Sequence, residues 1–122
     1  MPLTRLVDPA HGVALTLTLL TEGGGMALLA GLLKPGESCI LRCTLVAVGL
    51  NLVSHTLFWL GFPLLRTGTM AGLVAAEGLV VLVEAVPYRL LCPFPWPQAL
   101  SVSLLLNLAS FVVGIEVWRL LY

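Results

Sequence analysis

Six carboxyl, amide or imidazole side chains lie deep inside largely apolar stretches of this sequence: Glu22, Asn51, His55, Glu77, Glu84 and Asn107. A carboxyl group at the centre of a membrane-crossing helix costs ~2.5 kcal/mol or more, so each glutamate calls for a partner or a task. Glu77 and Glu84 are seven positions apart, close to two helical turns, which puts both on one face about 10 Å apart along the axis. Asn51 and His55 are four apart and share a face. In the last apolar stretch Ser103, Asn107, Ser110 and Gly114 recur at steps of four, three and four residues, a narrow polar stripe on one helix face. Carboxylates grouped with an imidazole and amides can bind a cation or pass a proton. The candidate relay or ion site is therefore Glu22, Asn51, His55, Glu77, Glu84, Asn107 and Ser110. Two carboxylates and one imidazole can also hold a divalent metal such as Zn²⁺ or Fe²⁺, and Glu22, His55 and Glu77 are the residues for it.

A structural role for the same residues stands beside this one. A protonated glutamate can hydrogen-bond His55 or an asparagine and hold helices together. Interhelical hydrogen bonds in membranes contribute only ~0.6 kcal/mol on average, a small return for burying several ionisable groups. Other chemistries have little support. The sequence has no Gly-x-Ser-x-Gly, no HExxH and no phosphate-binding loop. Ser54 and His55 are adjacent, and adjacent residues on a helix do not face each other.

The elements that must position these residues are set by composition. Of 122 residues, 59% are hydrophobic and 10% charged, where a soluble domain has roughly 45–50% and about 25%. Mean hydropathy is +1.06. The length suits four crossings of about 20 residues each. The spans fall at about 12–33, 39–60, 69–91 and 98–121, in a single transmembrane domain. Short connections, such as Lys34 to Ser38 and the turn holding Pro63, Arg66, Thr67 and Gly68, make consecutive helices antiparallel neighbours. The expected fold is an all-α membrane protein, four transmembrane helices in an antiparallel up-down bundle with the polar stripes turned inward.

Details follow from the same frame. The first eleven residues, with Arg5, Asp8, Pro9 and His11, read as a short arm rather than a secretory signal, and the first span is retained. Gly23, Gly24 and Gly25 permit close approach of another backbone, or a local unwinding around a site. The run from Cys92 to Pro97 has three prolines and cannot be helical throughout, and Phe94 and Trp96 suit the headgroup region. Trp59, Trp118 and Tyr122 suit the interface as well. Cys39, Cys43 and Cys92 form no CxxC and read as small interfacial hydrophobes, with Cys39 and Cys43 on one face near a helix end.

Counting inward from the side that holds both termini, Glu22, His55 and Glu77 come out at similar depth, Glu22 about 15 Å down at the helical rise. Asn51 and Asn107 fall near the middle and Glu84 toward the opposite side, with the amide of Asn51 or Asn107 as its partner. Arg5, Arg66 and Arg119 lie on one side, and Lys34, Arg42 and Arg89 on the other. This balance gives no positive-inside bias and allows insertion both ways, as in an antiparallel dimer. Lys plus Arg equals Asp plus Glu at six each, so no charge argues for nucleic acid. The partners implied are the lipid bilayer and a second copy or a membrane-complex subunit, and the plasma (inner) membrane is the default for helical spans.

The segments NLVSHTLFWLGFPLL (51–65), AEGLVVLVEAVPYRLL (76–91) and SLLLNLASFVVG (103–114) resemble a group of small bacterial four-span membrane proteins. Their pattern is Asn-x-x-Thr-His-Pro, then Glu-x6-Glu, then Asn-x-x-Ser. Here Ser54 replaces the threonine and Thr56 the proline, so the kink expected after the histidine is not implied. The resemblance reinforces membrane location and the choice of Asn51, His55, Glu77, Glu84, Asn107 and Ser110. It implies no activity.

Overall fold

The computed structural model describes residues 9–34, 36–61 and 69–121. Arg5, Asp8, Pro35, Tyr122 and the turn with Pro63, Arg66, Thr67 and Gly68 lie outside the described residues. Among the described residues four helices make up the fold: α1 Pro9–Leu33, α2 Glu37–Gly61, α3 Met70–Leu91 and α4 Trp96–Leu121. Each is long and apolar enough to cross a membrane. They form a closed square in which α1 packs on α2 and α4, and α3 on the same two. The α1–α2 seam is the most extensive and the α2–α3 seam the thinnest.

Local chemistry sets the helix ends. Pro9 opens α1, where its missing N–H is one of the first-turn donors that would be unpaired anyway. His11 therefore belongs to α1, not to an arm before it, because the helix begins three residues earlier than the first span was expected to. Thr69 caps α3: its hydroxyl oxygen accepts from the Gly72 amide at 3.1 Å. Pro97 sits in the first turn of α4 and is tolerated there for the same reason as Pro9.

The glycine run does not break α1, which is helical throughout. A Cβ built on Gly25 would lie 2.6 Å from Leu106 Cδ2, and one on Gly23 would lie 3.2 Å from Val48 Cγ2. These two glycines let α1 approach α4 and α2, the close-approach reading; the unwinding does not occur. Gly24 faces open space.

Burial is inverted relative to a soluble bundle. Leu120 is 83% exposed and Leu32 72%, while Glu84 is 0% exposed and Glu22 1%. The apolar core is concentrated toward one end. One helical turn beyond Glu22, Glu84 and Asn51 come Met26, Tyr88 and Ala47, all fully buried. Phe94, at 1% exposed, joins this cluster with Cys43 and Cys92. The expectation that Phe94 sits at the headgroups is therefore wrong. The chain between α3 and α4 folds back under the bundle and inserts the ring, and Trp96 is the aromatic left exposed. Cys39 Sγ lies 3.9 Å from Cys43 Sγ on one face of α2, and all three cysteines are free thiols.

Candidate functional site

Two carboxyls meet at the centre of the square, and α4 joins them. From α1, Glu22 Oε1 accepts a hydrogen bond from Ser110 Oγ at 2.7 Å. From α3, Glu84 Oε2 accepts from Asn107 Nδ2 at 2.7 Å. Ser110 and Asn107 are one turn apart on α4, and the serine hydroxyl also lies 3.1 Å from the Asn107 carbonyl oxygen. Helix α2 completes the ring, because Ser54 Oγ donates to Glu84 Oε1 at 2.6 Å. One connected set of polar groups therefore touches all four helices.

The two carboxyls are held differently. Both oxygens of Glu84 accept hydrogen bonds, from two different helices. Glu22 has one oxygen engaged, and its Oε2 is buried without a hydrogen bond. The Asn51 side chain is close enough to interact with the Glu22 carboxyl, but its aligned hydrogen bond goes from Nδ2 to the Ala47 carbonyl at 2.8 Å. Such back-bonding to the preceding turn fixes the amide on the inner face of α2. Asn107 is fixed likewise by Nδ2 to the Ser103 carbonyl at 2.9 Å, and Ser103 Oγ ties α4 to α3 through the Val81 carbonyl at 2.8 Å.

These groups line a cavity of about 150 Å³. All seven residues of the candidate relay border it: Glu22, Asn51, His55, Glu77, Glu84, Asn107 and Ser110. They do not make one cluster of contacts, however. Glu77 is half-buried and takes no part in the hydrogen bonds that join Glu22, Ser110, Asn107, Glu84 and Ser54. Of the two amides expected as partners of Glu84, the structure uses Asn107, and through Asn107 and Ser110 it is Glu84, not Glu77, that is connected to Glu22.

His55 belongs instead to an aromatic group at the mouth of the cavity. Its ring stacks on His11 with centroids 5.5 Å apart, and Trp59 lies 5.1 Å from His11 and 6.4 Å from His55. This packing is why the metal set Glu22, His55 and Glu77 is not assembled: among the described residues no three His, Cys, Asp or Glu side chains converge as metal ligands. The buried Nδ1 atoms of His11 and His55 make no hydrogen bonds.

Sequence reasoning passed over three participants. Ser54 was set aside because it does not face His55, yet it is three residues from Asn51, a spacing that shares a face, and it reaches Glu84. His11 and Thr18 precede Glu22 by eleven and four residues. At 3.6 residues per turn both return to nearly the same face, and that periodicity was the available signal. Thr18 lines the cavity and His11 is 5% exposed.

No protein-family model, curated protein or solved structure matches this chain.

Proposed function

We propose that this is a small multi-pass protein of a bacterial plasma (inner) membrane, akin to the four-span group its motifs resemble, and that its central cavity handles protons or a small cation. The observation that carries this reading is Glu22. It is a carboxyl at the centre of a membrane-length bundle, hydrogen-bonded at one oxygen, buried and unpaired at the other, on a residue that lines the cavity. A purely structural glutamate gains most when both oxygens are engaged, as in Glu84. An unpaired oxygen on a carboxyl that lines a cavity with room for several waters is suited, once the side chain turns toward it, to exchange a proton or meet a cation. Ser110 and Asn107 then link Glu22 to Glu84 through hydrogen bonds, and Ser54 holds the other oxygen of Glu84. The aromatic group of His11, His55 and Trp59 stands at one end of the cavity, and the Met26, Tyr88 and Phe94 plug closes the other.

A second reading has its own support. The full engagement of Glu84 by α2 and α4 fits a protein whose polar groups are helix glue, acting as an assembly subunit of a membrane complex or as a homo-oligomer. Flux measurements separate the two. The purified protein is reconstituted in liposomes with an entrapped pH-sensitive dye, and proton, Na⁺ and K⁺ gradients are imposed in turn, with bound metals measured on the same preparation. The relay reading expects flux of at least one ion above protein-free vesicles. Absence of all three fluxes from folded protein removes it and leaves the glue reading.

A further inference from the structure

The cavity shares part of its wall with the outer face of the bundle. A groove of about 250 Å³ runs between α3 and α4 on the outside, lined almost wholly by apolar side chains including Leu73, Val81, Leu104 and Leu108. Glu77, Asn107 and Phe111 border both this groove and the polar cavity. Glu77 is thus a half-buried carboxyl that borders both the apolar groove and the central cavity and stands outside the hydrogen-bonded set of Glu22, Ser110, Asn107, Glu84 and Ser54. Gly78 keeps the groove deep, since a Cβ there would meet nothing within 4 Å.

An apolar groove facing lipid selects nothing by itself, because acyl tails are as apolar as leucine. Selection must come from the polar group at its end. A carboxylate in hydrocarbon is costly when unpaired, and a ligand with a cationic head and an apolar tail relieves that cost while its tail replaces lipid in the groove. We propose that Glu77 and the α3–α4 groove bind an alkylammonium ion. The ammonium head lies at Glu77 beside the polar cavity, and the alkyl chain lies between α3 and α4. Charge complementarity chooses this occupant over an anionic or zwitterionic lipid. The inference rests on the cavity's being a cation-handling site and names a class of cation for it.

The test uses the whole protein in phosphatidylcholine nanodiscs with radiolabelled octylamine at pH 7, where an alkylamine, with a pKa near that of lysine at about 10.4, is protonated. Binding above empty nanodiscs is expected to saturate at about one equivalent per chain, with octanol and octanoate failing to compete. Removing one partner of a desolvated charge pair is expensive, so Glu77→Gln should weaken saturable binding by about tenfold or more. Gly78→Leu fills the groove without touching the carboxyl and should weaken it similarly, with helical content in both variants checked by circular dichroism. No saturable binding to the intact protein overturns the inference, as does unchanged binding to folded Glu77→Gln, or octanol competing as well as the amine. Proton or metal-cation flux with no amine binding sinks this inference alone. Amine binding without any ion flux sinks the ion-relay reading alone.

Discussion

Glu22 and Glu84 are the same residue type at nearly the same burial, yet they have different surroundings. Truncating Glu84 takes the acceptor from the half-buried Ser54 hydroxyl and one of two acceptors from the buried Asn107 amide, and each such loss costs about 1–3 kcal/mol. Glu84→Leu should therefore lower the unfolding free energy in detergent micelles by at least ~2 kcal/mol, where Glu22→Gln, which keeps an acceptor for Ser110, should change it by less than about 1 kcal/mol. Equal losses for the two variants would contradict the distinction between a carboxyl bonded at both oxygens and one bonded at a single oxygen. Asn107 as partner of Glu84 was legible in the sequence, because counting turns from the span ends gives depth to within a turn. The company kept by Glu77 and His55 was not. Depth says nothing about the rotation of each helix about its axis, and rotation decides that His55 meets His11 and Trp59 rather than the carboxyls. Ser54 and His11 were hidden for simpler reasons: one was judged by the wrong neighbour, and the other was placed outside a helix that Pro9 in fact begins.

Helix α1 shows how an element is fitted to its neighbours. Gly25 is where it meets Leu106 of α4, and Gly24, one residue away, looks outward. Gly25→Leu should destabilise the bundle by about 1–3 kcal/mol through overpacking, and Gly24→Leu should be neutral within ~0.5 kcal/mol, both measured by thermal unfolding in the same detergent. The reverse order would mean that α1 is rotated from the position described. The number, length and approximate ends of the helices were plain from composition and hydropathy, since apolar runs of this length with polar breaks have few alternatives. The fate of the chain from Cys92 to Pro95 was not plain. Prolines forbid helix there, but whether an aromatic beside them lies in the headgroups or under the bundle depends on space left by Met26, Ala30 and Tyr88. Those residues leave a place that Phe94 fills.

The whole molecule is a square of helices, polar at the centre, apolar outside, and plugged at one end. The plug has a chemical signature. Cys43 and Cys92 are buried in it, and Cys39 is half-buried on the same face of α2 as Cys43. A membrane-permeant maleimide should label Cys39 first and reach Cys43 and Cys92 only when the bundle is denatured, as counted by mass spectrometry of the intact chain. Early labelling of all three would mean that the end is open. With that end closed, passage through the cavity requires the plug or a seam to move, and the α2–α3 seam is the least packed of the four. The central claim concerns the unpaired oxygen of Glu22, and proton or cation flux in liposomes carrying Glu22→Gln tests it most directly. General acid–base groups contribute large factors, so a relay through Glu22 predicts flux lower by at least about tenfold in a variant that is folded and inserted like the parent; flux equal to the parent's would contradict it.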